Sequence, residues 1–133
     1  MTKEELLKSA FAALENAYAP YSHFRVGACV LCKDGKSFIG ANIENASYGL
    51  TNCGERSAIF AAYSHGYRKE DIKAIAIVCE GPEIASPCGA CRQVLSELID
   101  KDTPIYLANR HAERTTNIEE LLPYAFSGDE LDV

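Results

Sequence analysis

Leu6, Leu7, Ala10, Phe11, Leu14 and Ala17 recur at the three- and four-residue spacing of one helix face, and Thr2 followed by Glu5 sets a capping box ahead of them. A first helix is predicted to run to about Tyr18, where Pro20 stops it. The stretch Phe24 to Cys32 is rich in Val, Cys and Leu and reads as a strand, with Asp34-Gly35 as a hairpin turn before a second, antiparallel strand over Ser37 to Ile43. After a loop of Gly and Asn residues, Arg56 to Tyr63 reads as a second helix that begins just after Cys53 and ends near Gly66.

The apolar run Ile72 to Cys79 predicts a strand buried on both faces, which requires helices on each side of it. Gly81, Pro82, Ser86 and Pro87 form a loop, and a third helix follows from about Ala90 to Ile99 with Val94, Leu95, Leu98 and Ile99 inward. Pro104 opens a fourth strand at Ile105 to Leu107; Thr115 to Leu122 reads as a short strand or a helical turn, and the acidic tail Ser127 to Val133 as frayed. The order hairpin, helix, buried strand, helix, strand predicts an α/β/α sandwich around a mixed sheet, with one helix per crossover linking neighbouring parallel strands. Both sequences that carry paired chemistry, around Cys53 and around Cys88, fall at predicted helix N-termini, beyond the carboxyl ends of strands where such sheets hold their ligands.

The 133 residues make one domain of ordinary size, residues 1–133, with no repeat and no linker. Thirteen basic against nineteen acidic residues give a net charge of −6, so the chain lacks the basic footprint that a nucleic-acid partner requires. The N-terminus shows no secretory signal, and no apolar run reaches membrane-spanning length, so a cytoplasmic protein without a membrane partner is expected. Six cysteines in that compartment stay reduced, which favours core positions, metal ligands or catalytic thiols over disulfides.

Cys88 and Cys91 sit three apart at a helix entry, where both thiols can reach one tetrahedral ion. The alternative, a thioredoxin-like redox pair, belongs near the start of a chain after a first strand and fits this late position poorly. Cys29 and Cys32 share the spacing but lie in a strand, where an odd offset sends them to opposite faces; with Cys79 they read as small buried hydrophobes. Cys53 completes a set of three ligands. Three protein ligands leave zinc an open fourth position for water, the arrangement of a catalytic site, and Glu55 stands close enough to exchange that water's proton. Three thiolates outweigh a divalent ion, so a cationic donor to the sulfurs is expected; Arg56 is assigned that role in preference to Arg92, since exposed arginine on helices is common.

Cys53-Gly54-Glu55 and Pro87-Cys88-Gly89-Ala90-Cys91 resemble the signature of the zinc nucleoside deaminases, a superfamily whose three-ligand zinc and non-ligand glutamate are well described. The stretches Pro20 to Ala28, Gly40 to Ala46 and Cys88 to Gln93 extend the resemblance to the small homotetrameric cytidine deaminases, from about Thr2 to Phe126. The resemblance implies a cytidine-deaminase-like three-layer sandwich and one zinc per chain. It also implies Asn42 and Glu44 on the ribose hydroxyls, Phe24 against the pyrimidine, and the Gly54 N–H and Ser86 carbonyl on the base and its amino group. Read from the residues without it, Asn42 is a strand-end turn residue and Phe24 a core aromatic. Gly54 stands where family members more often carry Ala, a departure that spares a backbone contact. Tyr48 and Phe126 match aromatics near the active site of a neighbouring subunit, although Phe126 could equally fold back on its own core.

The activity implied is hydrolytic deamination of cytidine and 2′-deoxycytidine. Competing expectations are a deaminase of a cytosine-containing antibiotic nucleoside such as blasticidin S, a module with structural zinc, and an RNA- or DNA-editing enzyme, the last disfavoured by charge.

Overall fold

Thr2 caps the first helix of this computed structural model, which describes residues 1–131. The Glu5 N–H donates to the Thr2 hydroxyl and the Thr2 N–H to the Glu5 carboxylate, satisfying two donors that a helix start leaves open. Helix α1 spans Lys3–Leu14 and ends before the predicted Tyr18. The reason is tertiary: Tyr18 donates its N–H to the Asn42 carbonyl at 2.9 Å and accepts from the Glu44 N–H at 2.8 Å, so its backbone is extended alongside the next hairpin.

That hairpin is β1, Val26–Cys32, and β2, Ser37–Ala41. Each is shorter than its predicted stretch at the end nearer the site, because Phe24 and Arg25 precede the ladder and Ile43 makes only isolated bridges to Tyr18 and Asn52. Helix α2 spans Gly54–Ser64. It closes on Gly66, whose φ of 94° admits the left-handed turn, with the Tyr67 N–H on the Ala62 carbonyl and the Gly66 N–H on that of Tyr63.

Strand β3, Ile72–Cys79, is buried throughout except for Lys73. Then come α3, Gly89–Leu98, and β4, Ile105–Ala108. The ambiguous Thr115 to Leu122 stretch resolves into both of its readings, the end of β5, Glu113–Thr116, and the single turn α4, Ile118–Leu121.

The five strands lie in the order β2-β1-β3-β4-β5, with β3 and β4 parallel and every other neighbouring pair antiparallel. The sheet is mixed, as predicted, but only α3 links neighbouring parallel strands; α2 carries the chain from β2 to β3 across the intervening β1. Leu6, Leu7, Ala10 and Leu14 of α1 pack on one face against Cys29, Leu31, Ala74, Ala76 and Val78. Ala58, Ile59, Leu95, Ile99 and Ile118 cover the other face against Val30, Cys32, Ile75, Ile77, Ile105 and Leu107. Three layers result.

Gly40 lets α2 approach β2 closely: a Cβ there would stand 2.4 Å from the Ala58 nitrogen and 2.5 Å from the Gly54 oxygen. The tail forms one turn over Gly128–Glu130, and the last two residues of the predicted frayed segment, Asp132 and Val133, lie outside the described residues. Among the described residues no helix is long and apolar enough to cross a membrane.

Candidate active site

The N-termini of α2 and α3 meet at one end of the sheet, and the residues that cap them are Cys53 and Cys88. Neither thiol bonds a free N–H of its own helix, so both are available to a ligand. Cys91, one turn into α3, is fully buried. The Sγ atoms of Cys53 and Cys88 are 3.8 Å apart, those of Cys88 and Cys91 3.5 Å, and all three sulfurs lie within 4.8 Å of one another. Sulfurs at about 2.3 Å from a tetrahedral zinc stand about 3.8 Å apart, so the cluster fits one Zn²⁺ per chain with a fourth corner free.

Cys29 and Cys32 point into the cores on opposite faces of the sheet, as the odd offset requires. Cys79 is buried and donates to the Glu83 carbonyl, but it also lines the pocket, which its strand position did not signal.

The sulfurs share protons unequally. Hydrogen bonding from the Cys91 thiol, with help from the Arg56 guanidinium, brings Cys53 down to about 5, whereas Cys91, as the donor in that pair and buried, is pushed up. An ion entering the site therefore displaces protons. Arg56 donates from Nη2 to the Cys53 sulfur at 3.2 Å, the contact assigned to it from sequence, and its buried Nε has no partner among the described residues. Its positive charge offsets the excess of three thiolates over a divalent ion.

Glu55, in the first turn of α2, is only 5% exposed. Burial pushes its carboxyl up to about 7, into the range where a carboxylate can both take and return a proton at neutral pH.

Beside the sulfurs is a pocket of about 250 Å³, just under the usual size range for drug-like ligands. Its walls include Phe24, Asn42, Glu44, Tyr48, Gly54, Glu55 and Ser86, so six of the seven substrate contacts expected from sequence converge there. Phe126 does not. It is 53% exposed and lies elsewhere on its own chain, so it has not folded back on the core.

Asn42 and Glu44 also hold the loop that carries Phe24. The Asn42 side chain accepts from the Val26 N–H at 2.9 Å and donates to the Phe24 carbonyl at 2.8 Å. Glu44 accepts from the N–H groups of Tyr21 and Ser22 and from the Ser22 hydroxyl, which keeps its carboxyl below the usual range. Ser22 is a pocket residue that sequence reasoning passed over; nothing in the hydrophobic pattern marks a serine whose partner is 22 positions away.

No Lys, Arg or His is among the pocket residues. Arg25 turns outward to Glu80 and Glu15. Arg92 is not the exposed helix residue that sequence suggested: it is half-buried and bonds loop and helix-end oxygens, not the sulfurs.

Residues 1–107 match the family model described as the cytidine and deoxycytidylate deaminase zinc-binding region. Among known proteins, a cytidine deaminase of Halalkalibacterium halodurans is 51% identical, with 99% of each chain covered. One of Sporosarcina psychrophila is 46% identical over 98% of this chain and 96% of the relative. The crystal structure of cytidine deaminase from Burkholderia pseudomallei superposes with a TM-score of 0.92 at 50% identity, covering 95% of this chain and 100% of that one. That of the Mycobacterium tuberculosis enzyme gives 0.80 at 38% identity, over 96% and 98%. With its three-cysteine cluster, its buried glutamate and these relatives, the chain belongs to the zinc-binding cytidine and deoxycytidylate deaminase family.

Proposed function

We propose that this protein, acting as a single-domain chain within a cytoplasmic homotetramer, converts cytidine and 2′-deoxycytidine with water into uridine and 2′-deoxyuridine plus ammonia, in pyrimidine salvage. The observation that carries the reading is a buried Glu55 beside the cluster of the Cys53, Cys88 and Cys91 sulfurs, with Glu55, Cys53 and Cys88 opening on a pocket that, among the described residues, is lined by no Lys, Arg or His.

Cys53, Cys88 and Cys91 would hold zinc, which when bound would supply the Lewis acidity that makes water a nucleophile at neutral pH. Glu55 takes the proton of the water that attacks C4 and delivers it to N3. It then passes the second proton to the departing amino group, so that ammonia leaves and the oxygen remains on C4. Phe24 packs on the ring, the Gly54 N–H and the Ser86 carbonyl hold the base, and Asn42 and Glu44 take the ribose hydroxyls. Asn42 has spare capacity for this, since each polar atom of its side chain spends one bond on the Phe24 loop. Tyr48, 59% exposed, and Phe126 act at the interface between subunits, with Phe126 entering a neighbour's site.

A module with structural zinc would have no use for a carboxyl buried beside the metal. Turnover of cytidine, blasticidin S and free cytosine by the zinc-loaded protein tests the reading: cytidine should give by far the highest kcat/KM, and a preference for blasticidin S would replace the proposal. Sedimentation should give four chains per particle, and a monomer with full activity would remove Phe126 from the site.

A further inference from the structure

The loop between β3 and α3 reaches the pocket at Ala85 and Ser86 and then delivers Cys88. Irregular backbone of this kind holds its shape only through what it is tied to. Its first half is tied by Asn109, whose Nδ2 donates to the Gly81 and Pro82 carbonyls at 3.2 and 3.1 Å, and by the Cys79 thiol on the Glu83 carbonyl. Its second half contains Pro87, which has no N–H to give. There, among the described residues, the side-chain hydrogen bonds come from Arg92: Nε to the Pro87 carbonyl at 2.8 Å and Nη2 to the Ser86 hydroxyl at 2.9 Å. The third arm, Nη1, reaches the Leu121 carbonyl at the end of α4 at 2.7 Å. Arg92 is absent from the pocket walls.

We infer that Arg92 is a positioning residue that fixes the Ser86 carbonyl, the acceptor for the departing amino group, by clamping the loop on both sides of it and bracing it on Leu121. The inference rests on the function proposed above, in which the amino group gains a proton and positive character as it leaves. A carbonyl held in place then bonds the transition state more strongly than the ground state, so its placement bears on kcat more than on KM. The planar fork of guanidinium suits three acceptors in fixed directions; a lysine ammonium on the same stem cannot serve all three. The adjacent Gln93 donates to the Phe126 carbonyl at 3.0 Å, so two consecutive residues of α3 hold the start and end of the C-terminal segment that the tetramer reading sends to a neighbour.

The test is zinc-loaded Arg92→Ala and Arg92→Lys, read by steady-state kinetics on cytidine, zinc content and amide hydrogen exchange. Arg92→Ala should lower kcat roughly 10- to 100-fold, the loss expected of displacement by about an ångström, with KM changed less than threefold and zinc still at one per chain. Arg92→Lys should fall between it and wild type, and added guanidinium ion should restore part of the kcat of Arg92→Ala. Exchange should quicken at Ala85, Ser86 and the amides following Leu121, in loaded and metal-free protein alike. If Arg92→Ala does not fold, Arg92→Lys carries the same readouts. Unchanged kcat and exchange would overturn the inference, as would zinc lost in step with activity, which would make Arg92 a support of the metal ligands instead. An inactive wild-type protein would refute the function, and the exchange pattern would still decide whether Arg92 clamps the loop.

Discussion

Replacing Gly40 by alanine probes the close approach on which the site's geometry depends. The added Cβ would lie 2.4 Å from the Ala58 nitrogen, 2.5 Å from the Gly54 oxygen and 2.9 Å from the Ser57 Cβ. Ordinary contact needs about 3.4 Å, and two of the three atoms are backbone that no rotamer change can move, so α2 must retreat from β2 by about 1 Å. Overpacking of this kind costs about 1–3 kcal/mol, and the backbone contacts argue for the upper half of that range. The lower conformational entropy of alanine in the unfolded chain returns about 0.4–1 kcal/mol. The net cost is about 2 kcal/mol, or roughly 6 °C in Tm for a domain of this size. Because α2 carries Cys53 and Glu55 while Cys88 and Cys91 sit on α3, the same shift misaligns the halves of the site, and misplacement by about 1 Å is worth roughly 10²-fold in rate. Thermal melts and cytidine kinetics at saturating zinc should show both losses together. A Gly40→Ala protein with wild-type Tm and kcat/KM would mean that helix–strand contact does not set the site's geometry.

The remaining predictions concern the metal, the acid–base group and the substrate. Cys53→Ala, Cys88→Ala and Cys91→Ala should each lose zinc and turnover together, whereas Cys29→Ala and Cys32→Ala should keep one zinc per chain by metal analysis. Glu55→Gln should keep zinc and lose more than the roughly 10²- to 10⁴-fold of a single proton transfer, since one carboxyl serves both transfers; another base is needed if substantial turnover survives. In the metal-free protein, the native carboxyl at about 7 lies above its unfolded value near 4.5, so the contribution of Glu55 itself to stability is fully present below pH 4.5 and is lost as pH rises through 7. Urea unfolding should therefore find metal-free Glu55→Gln more stable relative to wild type at pH 8 than at pH 4.5, by about 3 kcal/mol for a shift of this size, and an equal difference at both pH values would contradict burial as the cause. Cytidine 5′-monophosphate should be refused, because its dianion would meet Glu44 and no cation among the pocket residues; comparable kcat/KM for nucleotide and nucleoside would contradict this.

Local rules carried the fold a long way. The Thr2 cap, the stop at Gly66 and the opposite facing of Cys29 and Cys32 follow from spacing that neighbouring residues set, and each stands as read. Tyr18 did not, because its helical spacing yields to a backbone pairing with Asn42 and Glu44, partners that no window of local sequence contains. The site divides in the same way. Metal ligands announce themselves, since few residue types bind zinc and both motifs open helices. Ser22 and Arg92 do their work through oxygens brought near by the fold, and a serine or arginine in sequence has too many ordinary uses to signal that. Asn42 illustrates both limits at once: its place at a strand end marks a turn residue and the family resemblance marks a substrate contact, while the structure shows a side chain that braces Phe24 and lines the pocket.

The central claim is that one zinc at Cys53, Cys88 and Cys91, worked by Glu55, deaminates cytidine. Titrating metal-free protein with zinc while following uridine and ammonia release tests it most directly. The account predicts activity that rises linearly to one zinc per chain, with one uridine and one ammonia per cytidine consumed, and no more than residual activity in Glu55→Gln at any zinc level. Protein that binds its full zinc and leaves cytidine unchanged would contradict it.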